Sequence, residues 1–450
     1  MIAKKIIISL LMLFPLITHN APYVYVANNG APEVAVIDGA TNSILTTISI
    51  PSLPYAMGQF LTCIASAPNG KTVCVCNGNA ISTSPVAISI SVIDATLTIP
   101  ALLVPIIEGF NMFSYPIDIA YTTDSNSVYI TGEDGNVYSV TGITSSQTVA
   151  TATSAIPNPY AIAIGNTPNE TAYIGTYGSG IYYMPVPANT PLHQIPFSDY
   201  SNIHIQGIAI APNGLTVYAV GDDSLYNKAL LYVIDTGSNM ITDTIDLPSG
   251  SGPTGIVVSP DGNYLYITDQ SNNDVIVIPT NNLSNISTFS SPNSPIALAI
   301  TSDSKGLYVA NGNPTVSSYL VPAGTPAASP IDLFPGGGRV LPFGITVIGS
   351  LSLLPPSSVS GCKTQNVFLL QTDYINNITW TAPTSGSPAA YAIYRDATLT
   401  QLAAMVPASG PLQYYDHGRN PNVTDSYYIV SVDANGNQSA PVSVTVTQNC

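Results

Sequence analysis

The stretch PTGIVVSPDGNYLYITDQSNNDVIVIPT, from Pro253 to Thr280, decides the fold. Ile256 to Val258, Leu265 to Thr268 and Val275 to Ile278 are short runs of β-branched and aromatic residues, which favour pleated strands. SPDG and QSNND separate them, and Pro, Asp, Asn and Gly supply the backbone angles of tight turns. Apolar runs of this length, punctuated at this spacing, read as strands of one antiparallel hairpin sheet rather than as helix. A small sheet of this kind leaves an edge and an apolar face unpaired, so it requires neighbours of its own kind.

Working outward, the same unit recurs along the chain. The position of Tyr266 is repeated at Tyr25, Cys74, Tyr129, Tyr173, Tyr218 and Tyr308. An apolar anchor precedes it at Ile64, Ile119, Ile162, Ile208, Ile256 and Leu298, usually in a P-x-x-I setting. Tyr25 has no anchor strand before it, whereas PFGITV, Pro342 to Val347, supplies an anchor at Ile345 with no Tyr strand after it. Seven units therefore close only if the last strand pairs with the first, which removes the free sheet edge. Third strands end in VID at Asp38, Asp94 and Asp235, and fourth strands are Thr-rich, as in ITDTIDLP from Ile241. The expected fold is all-β, a seven-bladed β-propeller.

YVYVANNG from Tyr23, VIDTGSNMITDTIDLP from Val233, SPDGNYLYITDQSNNDVIVI from Ser259 and LYVANGN from Leu307 resemble the YVTN-type β-propeller repeat of exported and surface-layer prokaryotic proteins. The resemblance runs from Pro22 to about Ser350 and implies a fold without implying an activity. Leu354, Pro355 and the Ser/Gly run to Gly361 then break the pattern. ITWTAP ending at Pro383, YAIYRD ending at Asp396, LQYYD ending at Asp416 and YYIVSVDANGNQSAPVSVTV from Tyr427 resemble a fibronectin type III domain, an immunoglobulin-like β-sandwich. That resemblance makes Trp380 its core tryptophan and Asp433 to Asn437 the turn before its last strand. The organisation expected is a signal peptide over 1–21, the propeller over 22–350, a linker over 351–361 and the sandwich over 362–450.

Composition bounds the function. The chain has 450 residues with 9 Lys plus Arg against 25 Asp plus Glu, a net charge of −16, and only 8 % charged residues. Lys4 and Lys5 followed by the apolar run Ile6 to Ile17 read as a secretory signal, since that run is too short to span a bilayer. Export to the periplasm, cell surface or medium follows as the expectation, with no transmembrane segment in the mature chain. An acidic surface repels phosphate backbones, so nucleic acid is not an expected partner. The deficit is uneven, because residues 22–355 carry 4 Lys/Arg and 20 Asp/Glu.

Five cysteines in an exported chain invite disulfides and leave at least one unpaired. Cys362 and Cys450 lie near the two ends of the C-terminal domain, where a bridge would contribute about 4 kcal/mol. Cys63, Cys74 and Cys76 sit on adjacent strands around APNGK, and Cys63 has room for one partner at most. Cys74 also reads simply as a small apolar substitute for the repeat tyrosine. No fourth ligand accompanies these three thiols, and no metal or other cofactor is expected. Asp222–Asp223 and Glu133–Asp134 are acidic turns of the type that holds Ca²⁺ or is merely solvated.

Catalytic signals are sparse. Three histidines follow the signal, His193, His204 and His417, and residues 22–350 contain one arginine, Arg339. Motifs for nucleophile elbows, zinc helices, phosphate loops and EF-hands are absent. Loops entering the inner strands are rich in aromatics instead: Tyr55, Phe60, Phe110, Phe113, Tyr115, Tyr160, Phe197 and Tyr200, beside His204 and the GGGRV loop of Arg339. Converging on one mouth they would form a stacking surface for a glycan or peptide, with Arg339, His204, Tyr115, Phe113, Tyr200 and Tyr55 as its contacts. Plugging the blade junctions is the other use for such rings. The sequence thus points to a non-catalytic binding or adhesion protein with a protein or glycan ligand at the cell surface. A lactonase-like or lyase-like enzyme using His204 and a mouth carboxylate, and a structural surface-layer component, are the alternatives.

Overall fold

The computed structural model describes residues 22–29, 32–39, 41–51, 59–79, 89–97, 99–107, 116–144, 148–151, 156–165, 170–186, 191–197, 202–333, 341–348, 356–367, 372–382, 388, 390–432, 439 and 441–447. All regular structure among them is β, and no helix there is long and apolar enough to cross a membrane. The chain divides into two compact units, Ala21–Ser350 and the residues from Leu351 onward.

The first unit is a propeller-like array of antiparallel sheets. Among the described residues it holds seven, six of four strands and one of five. Six follow chain order, from an inner strand outward: their inner strands are Gln59–Ser66, Pro116–Tyr121, Pro159–Gly165, Ile203–Ile210, Pro253–Val258 and Pro295–Ile300. The remaining sheet borrows its inner strand from the far end, Leu341–Ile348, which pairs antiparallel with Tyr23–Asn29, Val26 standing opposite Ile345. Each inner strand touches the next in chain order, and Leu341–Ile348 touches both Pro295–Ile300 and Gln59–Ser66, so the contacts return to their starting point.

The repeated sequence positions acquire distinct physical roles. The anchors Ile64, Ile119, Ile162, Ile208, Ile256, Leu298 and Ile345 all lie between 5 % and 9 % exposed, which marks seven equivalent environments. Repeat tyrosines are buried between sheets and reach toward the following one. The Tyr173 hydroxyl donates to Asn239 Oδ1 at 2.6 Å, and that of Tyr308 donates across the ring closure to the Gly39 carbonyl at 3.4 Å. Cys74 takes the tyrosine position in one sheet, and there the neighbouring sheet compensates: Tyr121 fills the space and donates its hydroxyl to Cys74 Sγ at 3.1 Å.

Every inner strand carries a β-bulge at the same place, two residues before its anchor. The extra residues are Thr62, Ile117, Tyr160, Gln206, Thr254, Ile296 and Phe343, none of which has a register partner on the second strand. This accounts for P-x-x-I. Proline opens the strand on an edge that needs no amide donor, and the next residue bulges. The third position packs against the following inner strand, and the fourth is the anchor.

The second unit contains a three-stranded sheet, ordered Ser357–Val367, Thr372–Thr381, Gln413–Asp416, and a four-stranded sheet, ordered Leu402–Pro407, Ala390–Tyr394, Asp425–Val432, Val442–Val446. Its first strand starts at Ser357, ahead of Cys362, so part of the Ser/Gly run read as linker is strand. Ile378 and Trp380 from one sheet pack with Tyr391, Ile393, Tyr427 and Ile429 from the other. Asp416 is buried beside them and accepts from Arg395 Nη2 at 2.7 Å, Arg395 Nε at 3.0 Å and the Tyr427 hydroxyl at 2.6 Å. Against the burial that would raise it, these donors hold its carboxyl below the ordinary range.

Of the three clustered cysteines, Cys63 and Cys76 are register partners with Cα atoms 5.2 Å apart and form a disulfide. Cys74, the other candidate partner, is a free buried thiol: two residues along the strand, it faces Ala65 rather than Cys63. Burial pushes that thiol up to about 12. Cys362 is disulfide-bonded as well, while Cys450 lies outside the described residues. Non-reducing peptide mapping with fragmentation between Cys74 and Cys76 is expected to place the bridge on Cys76. Native Cys74 is expected to resist alkylation at pH 8 until the protein is unfolded; rapid labelling of the folded protein would contradict this packing.

Candidate binding site at the channel mouth

The inner strands enclose a channel of about 540 Å³, and each of the seven contributes to its wall. Six of the bulged residues line it, so the irregularity that repeats around the ring is what projects side chains inward. Among the described residues the lining mixes apolar anchors with Thr62, Asp118, Tyr160, Gln206, Thr254 and Gln270.

Asp118 is the outlier of this wall. The residue just before the anchor is Cys63, Ala161, Gly207, Gly255, Ala297 or Gly344 in the other six sheets. Space explains the preference for small residues: a Cβ on Gly207 would lie 3.2 Å from the Ile256 amide nitrogen, and one on Gly344 2.9 Å from Ile64 Cγ2. Asp118 occupies that crowded place by hydrogen bonding. Its Oδ1 accepts from the Ile119 amide at 2.8 Å, and its Oδ2 accepts from the amide of Ile162, the next anchor, at 2.9 Å. Burial nonetheless outweighs these donors and pushes its carboxyl up to about 6.

Beside Asp118, the next two sheets in chain order build an aromatic and polar cluster. Tyr160, the bulged residue of its strand, is 40 % exposed; burial of its hydroxyl and then the negative charge of Asp118 raise the phenol's pKa. Tyr177, 49 % exposed, leaves its sheet just after the strand Thr171–Thr176 and bridges to the backbone of His204. Its ring lies flat on the His204 imidazole, with centroids 3.7 Å apart and planes 6° from parallel. Asp222, at the end of Thr216–Asp223, fixes that imidazole, with Oδ2 3.1 Å from Nδ1, and its Oδ1 accepts from Gln206 Nε2 at 2.9 Å. Gly221 makes the approach possible, because a Cβ there would fall on the His204 carbonyl oxygen. The result is a flat tyrosine–imidazole stack, fixed at the imidazole by Asp222, in which the tyrosine remains about half exposed.

Of the residues expected at the mouth from sequence, Tyr160 lines the channel, and His204 does not line it but shares Asp222 with Gln206, which does. Phe197 is instead half-buried against Tyr232, ring centroids 5.2 Å apart, and plugs a junction between sheets. Arg339, Tyr115, Phe113, Tyr200, Tyr55 and Phe110 lie outside the described residues, as does the side chain of Phe60. The acidic turns have internal partners: Asp222 holds His204 and Gln206, Asp223 accepts the Leu225 amide, and Asp134 accepts the Tyr138 hydroxyl. No group of three or more metal-ligating side chains occurs among the described residues. Sequence reasoning missed Asp118, Tyr177 and Gln206, although Asp118 was visible as the one charged residue in a column of small ones.

No family model matches the chain, and no curated protein sequence does. Solved structures do. A protein of unknown function from Desulfotomaculum acetoxidans is 16 % identical, with a TM-score of 0.55, over 72 % of this chain and 98 % of that one. Hydrazine synthase of Kuenenia stuttgartiensis is 18 % identical, with a TM-score of 0.47, over 58 % of this chain and 76 % of that one. At such identities the likeness concerns the fold alone.

The environment of Asp118 makes stability depend on pH. Its carboxyl titrates near 6 when folded against an ordinary 3.8, so the folded state holds the proton more tightly. Its stabilising contribution is complete below pH 3.8 and is lost as pH rises through 6. Measured by urea midpoints, the wild type is expected to gain stability relative to Asp118→Asn between pH 7 and pH 4. Parallel pH profiles for the two proteins would contradict this.

Proposed function

We propose that this chain is an exported, non-catalytic recognition protein. In this reading the first unit is a seven-bladed β-propeller of YVTN type, and the second is a fibronectin type III-like sandwich acting as a spacer. The cyclic contacts of seven inner strands and the packing of Trp380 between two sheets support those assignments. A disulfide at Cys63–Cys76 supports an oxidising compartment.

One observation carries the functional reading: Tyr177 is held face-on by His204 and yet stays 49 % exposed. A half-exposed aromatic ring with locked geometry loses little entropy on binding, which is how tyrosines come to dominate recognition surfaces. Gln206 and Asp222 beside it offer polar contacts to a glycan hydroxyl or a peptide amide. The His204–Asp222 pair also favours a second reading, a hydrolase in which Asp222 orients the imidazole as a base. Against that use, the stacked Tyr177 covers one face of the ring, and among the described residues the ring's hydrogen-bond partner is Asp222, not a nucleophile.

Glycan and peptide arrays probed with the full chain are expected to give ligands whose binding falls about tenfold or more in Tyr177→Ala, the loss of one aromatic contact. Unchanged binding by that variant would refute the mouth reading. Turnover of lactones abolished by His204→Ala would establish the hydrolase instead.

A further inference from the structure

Asp118 is not required by the ring. Six equivalent positions close the same contact with Gly, Ala or Cys, and in the sheets of Gly207 and Gly344 the following anchor amide, Ile256 or Ile64, faces no carboxylate from that position. A carboxylate placed on the wall of a channel, where burial disfavours its charge, costs stability that a small residue would spare. Two backbone amides occupy one acceptor site on each oxygen, and a carboxylate has about four in all. The channel lining includes no Lys, Arg or His among the described residues. Next to Asp118 stands the Tyr160 ring, and the surrounding unit carries 20 acidic residues against 4 basic ones. An anionic group, an aromatic face and a negative field together select one kind of guest.

Building on the mouth reading, we propose that the channel below Tyr177 binds an organic cation, a primary ammonium or guanidinium group seated against Asp118 and the face of Tyr160. Thr62, Gln206, Thr254 and Gln270 line the same space and accept the remaining N–H groups of such a guest. The cation has two possible sources, a free polyamine or a basic side chain of a peptide, and a single titration series separates them.

Isothermal titration calorimetry on the full chain at pH 7.5 would use spermidine, a lysine-rich heptapeptide, an arginine-rich heptapeptide and neutral maltoheptaose. At least one cationic probe is expected to bind. Its affinity is expected to drop tenfold or more in Asp118→Ala, a residue type the neighbouring sheets already carry there, and in the isosteric Asp118→Asn. Thermal midpoints of both variants verify folding. Binding of spermidine alone assigns a free amine, and binding of a peptide alone assigns a side chain. Diffuse attraction to an acidic surface would leave Asp118→Ala equal to wild type, since it removes one charge of many, and that result overturns the proposal. So does failure of every cation to bind. If maltoheptaose binds in a Tyr177-dependent manner while cations do not, the cation proposal falls and the mouth reading stands; if Tyr177→Ala alters no probe, the mouth reading itself falls.

Discussion

The ring depends on one pairing, the antiparallel ladder between Tyr23–Asn29 and Leu341–Ile348. Without it this sheet would lack its inner strand and leave Tyr23–Asn29 as an open edge, Ile345 would lose its place against Ala299 and Ala310, and Leu341–Ile348 would no longer be held against the strand of Ile64. Bringing together strands more than three hundred residues apart costs entropy, but that cost grows only with the logarithm of the loop. Apolar burial at every junction between sheets offsets it. Gly344 shows how close the seam is, since its missing Cβ leaves room for Ile64. Thr346 adds a hydroxyl bond to Ser66 at 2.8 Å across the same boundary.

Closure also explains the site. Seven inner strands cannot approach one axis as flat ribbons, and each bends at its bulge. Bending turns the bulged residue toward the channel in six of these strands and crowds the next residue against its neighbour. The first of these positions tolerates Thr, Ile, Tyr or Gln, whereas the second is confined to small residues unless a side chain can hydrogen-bond to the neighbouring backbone, as Asp118 does with Ile162. Variation in the wall is therefore available for recognition without disturbing the anchors.

The all-β organisation in repeated small antiparallel sheets was legible because period and punctuation are local properties. Tyr spacing, P-x-x-I and the orphaned strand PFGITV required no knowledge of side-chain packing, and the end-to-end pairing they imply is present. The disulfide was half legible: strand alternation put Cys74 and Cys76 on one face, but only the register created by the bulge at Thr62 sets Cys76 opposite Cys63. The mouth was less legible. Tyr177 joins His204 across a bridge between different sheets, 27 positions apart in the chain, and no periodicity announces such a contact. Phe197 resembled the mouth aromatics in composition yet packs into a junction, because the same ring serves either purpose. Asp118 was visible in principle, through comparison of the seven units column by column.

Hydrogen exchange of the intact protein followed by mass spectrometry tests the closure most directly. Amides of residues 23–29 and 341–348 are expected to exchange together and as slowly as those of central strands such as Tyr264–Asp269, through global unfolding of the unit. Fast or independent exchange of the two segments would contradict a ring closed by its own ends.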